Sequence, residues 1–204
     1  MAEVPPLCGL VLAGGYSRRL GTDKAAVAIG GQSLLDRAVR TLQVFCSDVR
    51  VAVRAEQHAE PLRAQYRCLL DPIAGIGPAA GMIAAHRERP EAAWIVLACD
   101  MPWVAPAVLQ LLVSGRDPSR AGVAFRRASA PGPEPLCALY EPATLAAFRR
   151  QVETGGNASP RVWLAGTDAL LLEAPAPGAL DSINLREDLA RLAAATDGSP
   201  LTQY

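Results

Sequence analysis

Short apolar runs recur through the first half of this chain, and most stop on residues that end strands. Residues 7–12 (LCGLVL) run into Ala13-Gly14-Gly15, residues 68–70 into Asp71-Pro72, and residues 94–98 (WIVLA) into Cys99-Asp100. A further run, 49–53, alternates about Arg50. Between them lie stretches of helical period. In 33–45, Ser33 is placed to cap and Leu34, Leu35, Ala38, Leu42 and Phe45 share a face. A glycine-rich opening at 75–81 leads a helix through His86, and another helix covers 105–113. Runs this short and apolar fit strands buried on both faces, so the alternation through residue 114 predicts an α/β fold. The expected architecture is a single open, mostly parallel twisted sheet with helices on both faces.

Beyond residue 114 the rhythm loosens. Residues 122–125 and 136–140 read as a strand pair around the proline-rich stretch 131–135. Helices are expected at 143–152 and 160–164, a last strand at 169–172, and a C-terminal helix at 187–195. Residues 174–178 (APAPG) read as a short linker, but no repeat or domain boundary is found, so the expectation is one domain over 1–204, with a core at 7–195 and a short tail at 196–204.

The 204 residues carry 20 basic and 20 acidic side chains, which excludes a broad basic footprint for nucleic acid or an anionic membrane. The five cysteines are odd in number and lack a CxxC pair, which argues against a zinc site or disulfide framework and for a reducing, cytoplasmic setting. The N-terminal residues lack a basic segment and reach Gly14-Gly15 too soon for a signal peptide, and no apolar stretch approaches a membrane span. His58 and His86 show no metal-ligand spacing and are expected at the surface; Trp94, Trp103 and Trp163 are expected to pack in or near the core.

One asymmetry sits inside the charge balance: nineteen of the basic residues are Arg and the remaining one is Lys24. In open α/β sheets ligands bind beyond the carboxyl ends of strands. The first such end is followed by residues 13–24, with two adjacent glycines, Arg18, Arg19 and Lys24; the others bring Asp71 and Asp100 to the same rim. Glycines let backbone N–H groups approach phosphate oxygens, and Arg19 and Lys24 can neutralise phosphate charge. Asp100 supplies a hard oxygen suited to Mg²⁺, which takes one or two carboxylates plus substrate phosphates. The set fits a nucleoside triphosphate with a metal ion. Neither common fingerprint applies: residues 14–24 are not GxxxxGK[ST], and 75–81 holds one residue too many for GxGxxG.

Residues 12–24 (LAGGYSRRLGTDK) resemble the signature LAGGxSxRMGxDK of a nucleotidyltransferase family, departing only at Leu20. Within that superfamily the chain looks most like the molybdenum cofactor guanylyltransferases. The supporting segments are Asp71 followed by GPAAGM at 77–82, LACDMP at 97–102, EPLCALY at 134–140 and SINLREDL at 182–189. The resemblance implies a Rossmann-like nucleotidyltransferase fold and transfer of a guanylyl group from GTP to molybdopterin, with release of pyrophosphate. It implies that Leu12, Ala13, Gly14 and Gly15 contact the nucleotide, Lys24 binds phosphates, Asp71 holds the nucleoside and Asp100 ligates Mg²⁺. Lys24, Asp100 and Arg19 form the implied catalytic set. It also implies hand-off of the product to molybdoenzymes or their chaperones.

Some readings stay open at this stage. Asp71 is equally a turn residue before Pro72, Asp100 could cap a loop, and Gly75, Gly77 and Gly81 serve loop geometry and helix packing as readily as binding. The Asn that the family often carries after its second strand is missing from Val51-Ala52-Val53-Arg54, and Ser182 replaces one of two C-terminal Asn residues, leaving Asn184 as a structural hydrogen-bonder. Cys99 beside Asp100 has no neighbouring His to make it a nucleophile. Cytidylyl transfer to molybdopterin, nucleotidyl transfer to another phosphorylated acceptor, and a nucleotide-binding adaptor without transferase activity are the alternative functions.

Overall fold

The computed structural model describes residues 3–15, 23–126, 132–183 and 187–188. The central strands come first. Strand β1 (Leu7–Leu12) pairs in parallel with β4 (Val49–Val53) on one side and β6 (Ala93–Ala98) on the other. Strand β5 (Cys68–Leu70) extends the sheet beyond β4. On the far side, β8 (Pro133–Tyr140) runs antiparallel to β6 and to β7 (Gly122–Arg126), and β9 (Leu170–Glu173) lies parallel to β7 at the edge. The order is β5-β4-β1-β6-β8-β7-β9, a mostly parallel sheet with one antiparallel strand inside it.

The strands separate two cores by their two-residue period. Val11, Ile95, Leu97, Cys137 and Leu139 face α1 (Leu34–Gln43) and α3 (Pro106–Ser114). Cys8, Leu10, Trp94, Val96, Ala138 and Tyr140 face α2 (Pro78–Glu88), α4 (Pro142–Glu153) and α5 (Pro160–Ala165). Helices therefore cover both faces, as the apolar runs predict.

Local chemistry sets the element ends. Ser33 caps α1 in a reciprocal box: its Oγ accepts from Asp36 N at 3.0 Å and its own N donates to Asp36 Oδ2 at 3.3 Å. Helices α2, α3, α4 and α5 each open on proline, where the missing N–H would find no intrahelical partner anyway. Between β1 and α1 a small hairpin, β2 (Ala28–Ile29) and β3 (Gln32–Ser33), turns through Gly30 and Gly31 at φ 56° and 78°. Two successive positive φ angles are what a tight two-residue hairpin turn demands.

Three expectations need correction or completion. Strand β8 begins at Pro133 rather than 136: Pro133 and Pro135 lie beyond Cys137, the last residue paired with β6, so their missing donors cost that ladder nothing. His86 is not at the surface but 4% exposed, because α2 is sandwiched between the sheet and α4 and is buried continuously from Ala79 to His86. Of the C-terminal helix at 187–195 only Glu187 and Asp188 are described, and both are helical; the rest, with Arg19 and Asn184, lies outside the described residues. The cysteines are free, four of them buried and Cys68 partly so. No helix among the described residues is long and apolar enough to cross a membrane.

Helix α2 rests directly on the sheet through Gly81. A Cβ there would lie 2.6 Å from Ala52 Cβ and 2.7 Å from Leu12 Cδ2. Both neighbours belong to packed strands, so relief requires moving the helix. Gly81→Ala is expected to destabilise the fold by about 1–3 kcal/mol despite the better helix propensity of alanine. Thermal denaturation should show a midpoint lowered by several degrees; an unchanged midpoint would mean that α2 can lift freely.

Candidate active site

The sheet order fixes where a ligand can enter. From β1 the chain moves outward to β4 and β5, then returns past β1 to β6. The connections after β1 and β6 therefore leave in opposite directions, opening a crevice at their carboxyl ends. A cavity of about 910 Å³ lies there. Leu12, Ala13, Gly14, Gly15, Lys24, Asp71 and Asp100, all singled out in the sequence, line it together. The backbone behind them is anchored: Ala13 N donates to Ala52 O at 3.0 Å, and Cys99 N to Leu12 O at 3.2 Å.

Lys24 opens a single 3₁₀ turn, Lys24–Ala26, capped by Asp23, whose Oδ1 accepts from Ala25 N at 3.2 Å. From this turn Lys24 Nζ reaches Asp100 Oδ2 at 2.8 Å, joining residues that end different strand connections. Both side chains keep some exposure, at 18% and 23%, so an incoming phosphate can reach the ammonium. Asp100 is braced from behind, where its carbonyl oxygen accepts from Ile183 N at 2.8 Å. Ile183 is fully buried with Ile29 and Leu34, so the residue that holds the Asp100 backbone is itself anchored in the core.

Asp71 follows β5 on the opposite wall, its N donating to Val53 O at 2.9 Å. Its carboxylate lies beside Gly14, where a Cβ would come within 3.3 Å of Oδ2. Burial lifts this carboxyl to about 6, against the opposing pull of the Arg54 guanidinium. Arg54 and Glu56 line the same wall, Arg54 held by Gln57 Oε1 at 3.1 Å and Glu56 Oε1 at 3.0 Å. The sequence pattern registers only a missing Asn there, whereas the structure supplies a restrained guanidinium. Cys99 also lines the cavity, but burial and the adjacent Asp100 push its thiol up to about 12, so it stays protonated and unreactive.

Sequence reasoning passes over Arg63 entirely. Its side chain is 1% exposed, stands behind the cavity wall and binds Ala13 O and Asp23. A lone arginine in a stretch without clear periodicity leaves no signal of burial, and only the acidic Asp23 next to Lys24 hints at a partner. Among the described residues no group of three or more His, Cys, Asp or Glu side chains is gathered to hold a metal. Asp100, a rim carboxylate already engaged by lysine, fits an ion that arrives with phosphate ligands of its own. A second, more open hollow of about 530 Å³ adjoins the first, sharing Gly75, Pro78 and Leu136, with Glu134, Asn157, Ser159 and Arg161 around it.

Two adjacent glycines, a lysine and a carboxylate gather at the crossover of a mostly parallel sheet, the place where open α/β sheets bind their ligands and an arrangement suited to the nucleotidyltransferase class. Comparison with known proteins narrows this. The family model described as the MobA-like NTP transferase domain matches residues 9–170. The probable molybdenum cofactor guanylyltransferase of Opitutus terrae is 37% identical over 163 residues, covering 78% of this chain and 79% of that protein. A molybdenum cofactor biosynthesis bifunctional protein of Synechocystis is 27% identical over 92% of this chain, which spans 54% of its length. Among solved structures, molybdopterin-guanine dinucleotide biosynthesis protein A of Archaeoglobus fulgidus superposes with a TM-score of 0.77 at 26% identity, covering 94% of this chain and all of that one. The chain belongs to the MobA-like NTP transferase family.

The Asp71 carboxyl generates a pH prediction. Its folded value of about 6 lies above its ordinary value of 3.8. Below about pH 4 it is protonated folded or unfolded and costs nothing; as pH rises through about 6 the fold must hold a buried carboxylate, and stability falls. Asp71→Asn should raise the denaturation midpoint at pH 7.5 by roughly a few degrees, with no gain at pH 4. A lower midpoint at pH 7.5 would show that the carboxylate is fully compensated in place.

Proposed function

We propose that this chain transfers the guanylyl group of GTP to molybdopterin, giving the guanine dinucleotide form of the cofactor and pyrophosphate. The observation that carries the reading is the Lys24–Asp100 pair at the strand crossover of a chain in this family. The names of the Opitutus and Archaeoglobus relatives support the guanine and molybdopterin assignments.

The chemistry asks for positioning and charge neutralisation more than for proton transfer. A terminal phosphate oxygen of the acceptor is already a nucleophile. It attacks the α-phosphorus, the bond from that phosphorus to the bridging oxygen of the β-phosphate breaks, and pyrophosphate leaves with the electron pair. Gly14 and Gly15 let the backbone approach the triphosphate, and Lys24 places a compact ammonium where negative charge gathers. Arg19, from its place in the motif, is proposed as a second phosphate cation. Asp71 and Arg54 lie on the wall assigned to the nucleoside. Asp100 would hold a Mg²⁺ carried in with the triphosphate, which would supply further charge neutralisation at the phosphates. The adjoining hollow around Arg161 gives the acceptor a route to the same phosphorus.

Pyrophosphate release with GTP, molybdopterin and Mg²⁺ tests the reading. Lys24→Ala and Asp100→Ala are each expected to lower the rate by at least about 100-fold, the scale of losing one charged group that stabilises a transition state. Near-normal turnover in either variant would overturn the mechanism. Calorimetric titration of the unmodified protein should show GTP bound more tightly than CTP, ATP or UTP; a preference for CTP would replace guanylyl by cytidylyl transfer.

A further inference from the structure

We infer that Arg63 is a positioning residue for the phosphate-binding lysine, registering the Lys24 turn against the end of β1. It lies in the stretch between β4 and β5 and does not line the cavity. Its guanidinium is nonetheless engaged through both terminal nitrogens. NH2 donates to Ala13 O at 3.0 Å, the carbonyl immediately after β1. The same nitrogen donates to Asp23 Oδ1 at 3.0 Å, and NH1 donates to Asp23 Oδ2 at 2.7 Å, a two-pronged grip on one carboxylate. Glu60 takes a further bond from NH1.

The consequence follows along the chain. Asp23 caps the 3₁₀ turn through Ala25 N, and that turn begins with Lys24, whose ammonium meets Asp100. The guanidinium thus spans the two ends of residues 13–23, one end being the sheet and the other the cap that aims the lysine. Four-carbon lysine is flexible by itself, so what fixes its head group is the placement of its backbone. A planar fork holding both oxygens of Asp23 and a strand carbonyl sets that placement in direction as well as distance.

The cost of this arrangement argues that it serves more than packing. Arg63 is 1% exposed, and its Nε has no hydrogen-bond partner among the described residues. Burying a guanidinium with one N–H unsatisfied is expensive, and an apolar side chain of similar size would fill the same volume more cheaply. What an apolar residue could not do is hold Ala13 and Asp23 in one fixed geometry. Lysine could not do it either, since it lacks the fork.

The inference rests on the phosphate-binding role of Lys24 within the proposed reaction, and its test separates the two. Calorimetric binding of GTP, and in parallel of inorganic tripolyphosphate as a base-independent anion, is measured for the full chain, Arg63→Lys, Lys24→Ala and the double variant. Arg63→Lys is expected to weaken binding about tenfold when Lys24 is present and by less than about twofold when it is absent, the mark of coupled residues. Equal weakening in both backgrounds, or none in either, overturns the inference and leaves Arg63 as a packing residue. Should Arg63→Lys fail to fold, as its melting curve would reveal, Asp23→Asn carries the same cycle; Asp23 is 36% exposed, so its replacement perturbs the core far less. Tripolyphosphate binding without GTP binding would sink the guanylyl reading alone, and the cycle then runs on tripolyphosphate. Binding of neither would overturn both.

Discussion

Strands β1 and β6 are buried on both faces, and that burial leaves polar chemistry no place except beyond their ends. Every residue of β6 is buried, and β1 is exposed only in part and only at its two termini. A charged side chain within either strand would face one of two apolar cores. The chain therefore changes character abruptly just past Ala13 and Cys99, which are still buried: Gly14, Gly15 and Asp100 are the first residues there with solvent exposure. Glycines and charged residues collect at those two exits because the strand order sends the chain out in opposite directions there.

This constraint explains which parts of the molecule are legible in the sequence. Continuous apolar runs ending on glycine or aspartate locate β1, β5 and β6, and the residues after them are the cavity wall. Lys24 stands out twice, by its rarity and by its distance from the first strand end. Less visible are features that depend on contacts distant in sequence. Arg63 buries its charge because Asp23 and Ala13 O come to meet it, and nothing in its own neighbourhood announces them. His86 is buried because α4 closes over α2, a fact of packing rather than of helical period. The two prolines of β8 conceal a strand that pairs with β6 only from residue 137 onward.

The site is electrostatically assembled before any nucleotide enters. Lys24 and Asp100 neutralise one another across the crevice, and Asp23 is neutralised by Arg63 behind it. Such internal pairing keeps a cluster of charges tolerable in a half-buried cleft. In the proposed reaction a phosphate would exchange places with Asp100 as partner of the ammonium and would not create a charge pair from nothing. Asp71 stands apart from this scheme: Arg54 offsets its burial only in part, and its raised affinity for protons is the visible remainder.

The hydrogen bond from Ile183 N to Asp100 O carries a consequence for synthesis. Asp100 emerges from the ribosome 83 residues ahead of its brace. A nascent polypeptide can pair β1, β4, β5 and β6 early, since these strands are contiguous in the sheet and complete by residue 98. The brace on the Asp100 carbonyl forms only when Ile183 arrives and packs with Ile29 and Leu34. The cleft is thus outlined by strands complete at residue 98 and braced at Asp100 only after residue 183 is made, so the sheet centre can form before that brace exists.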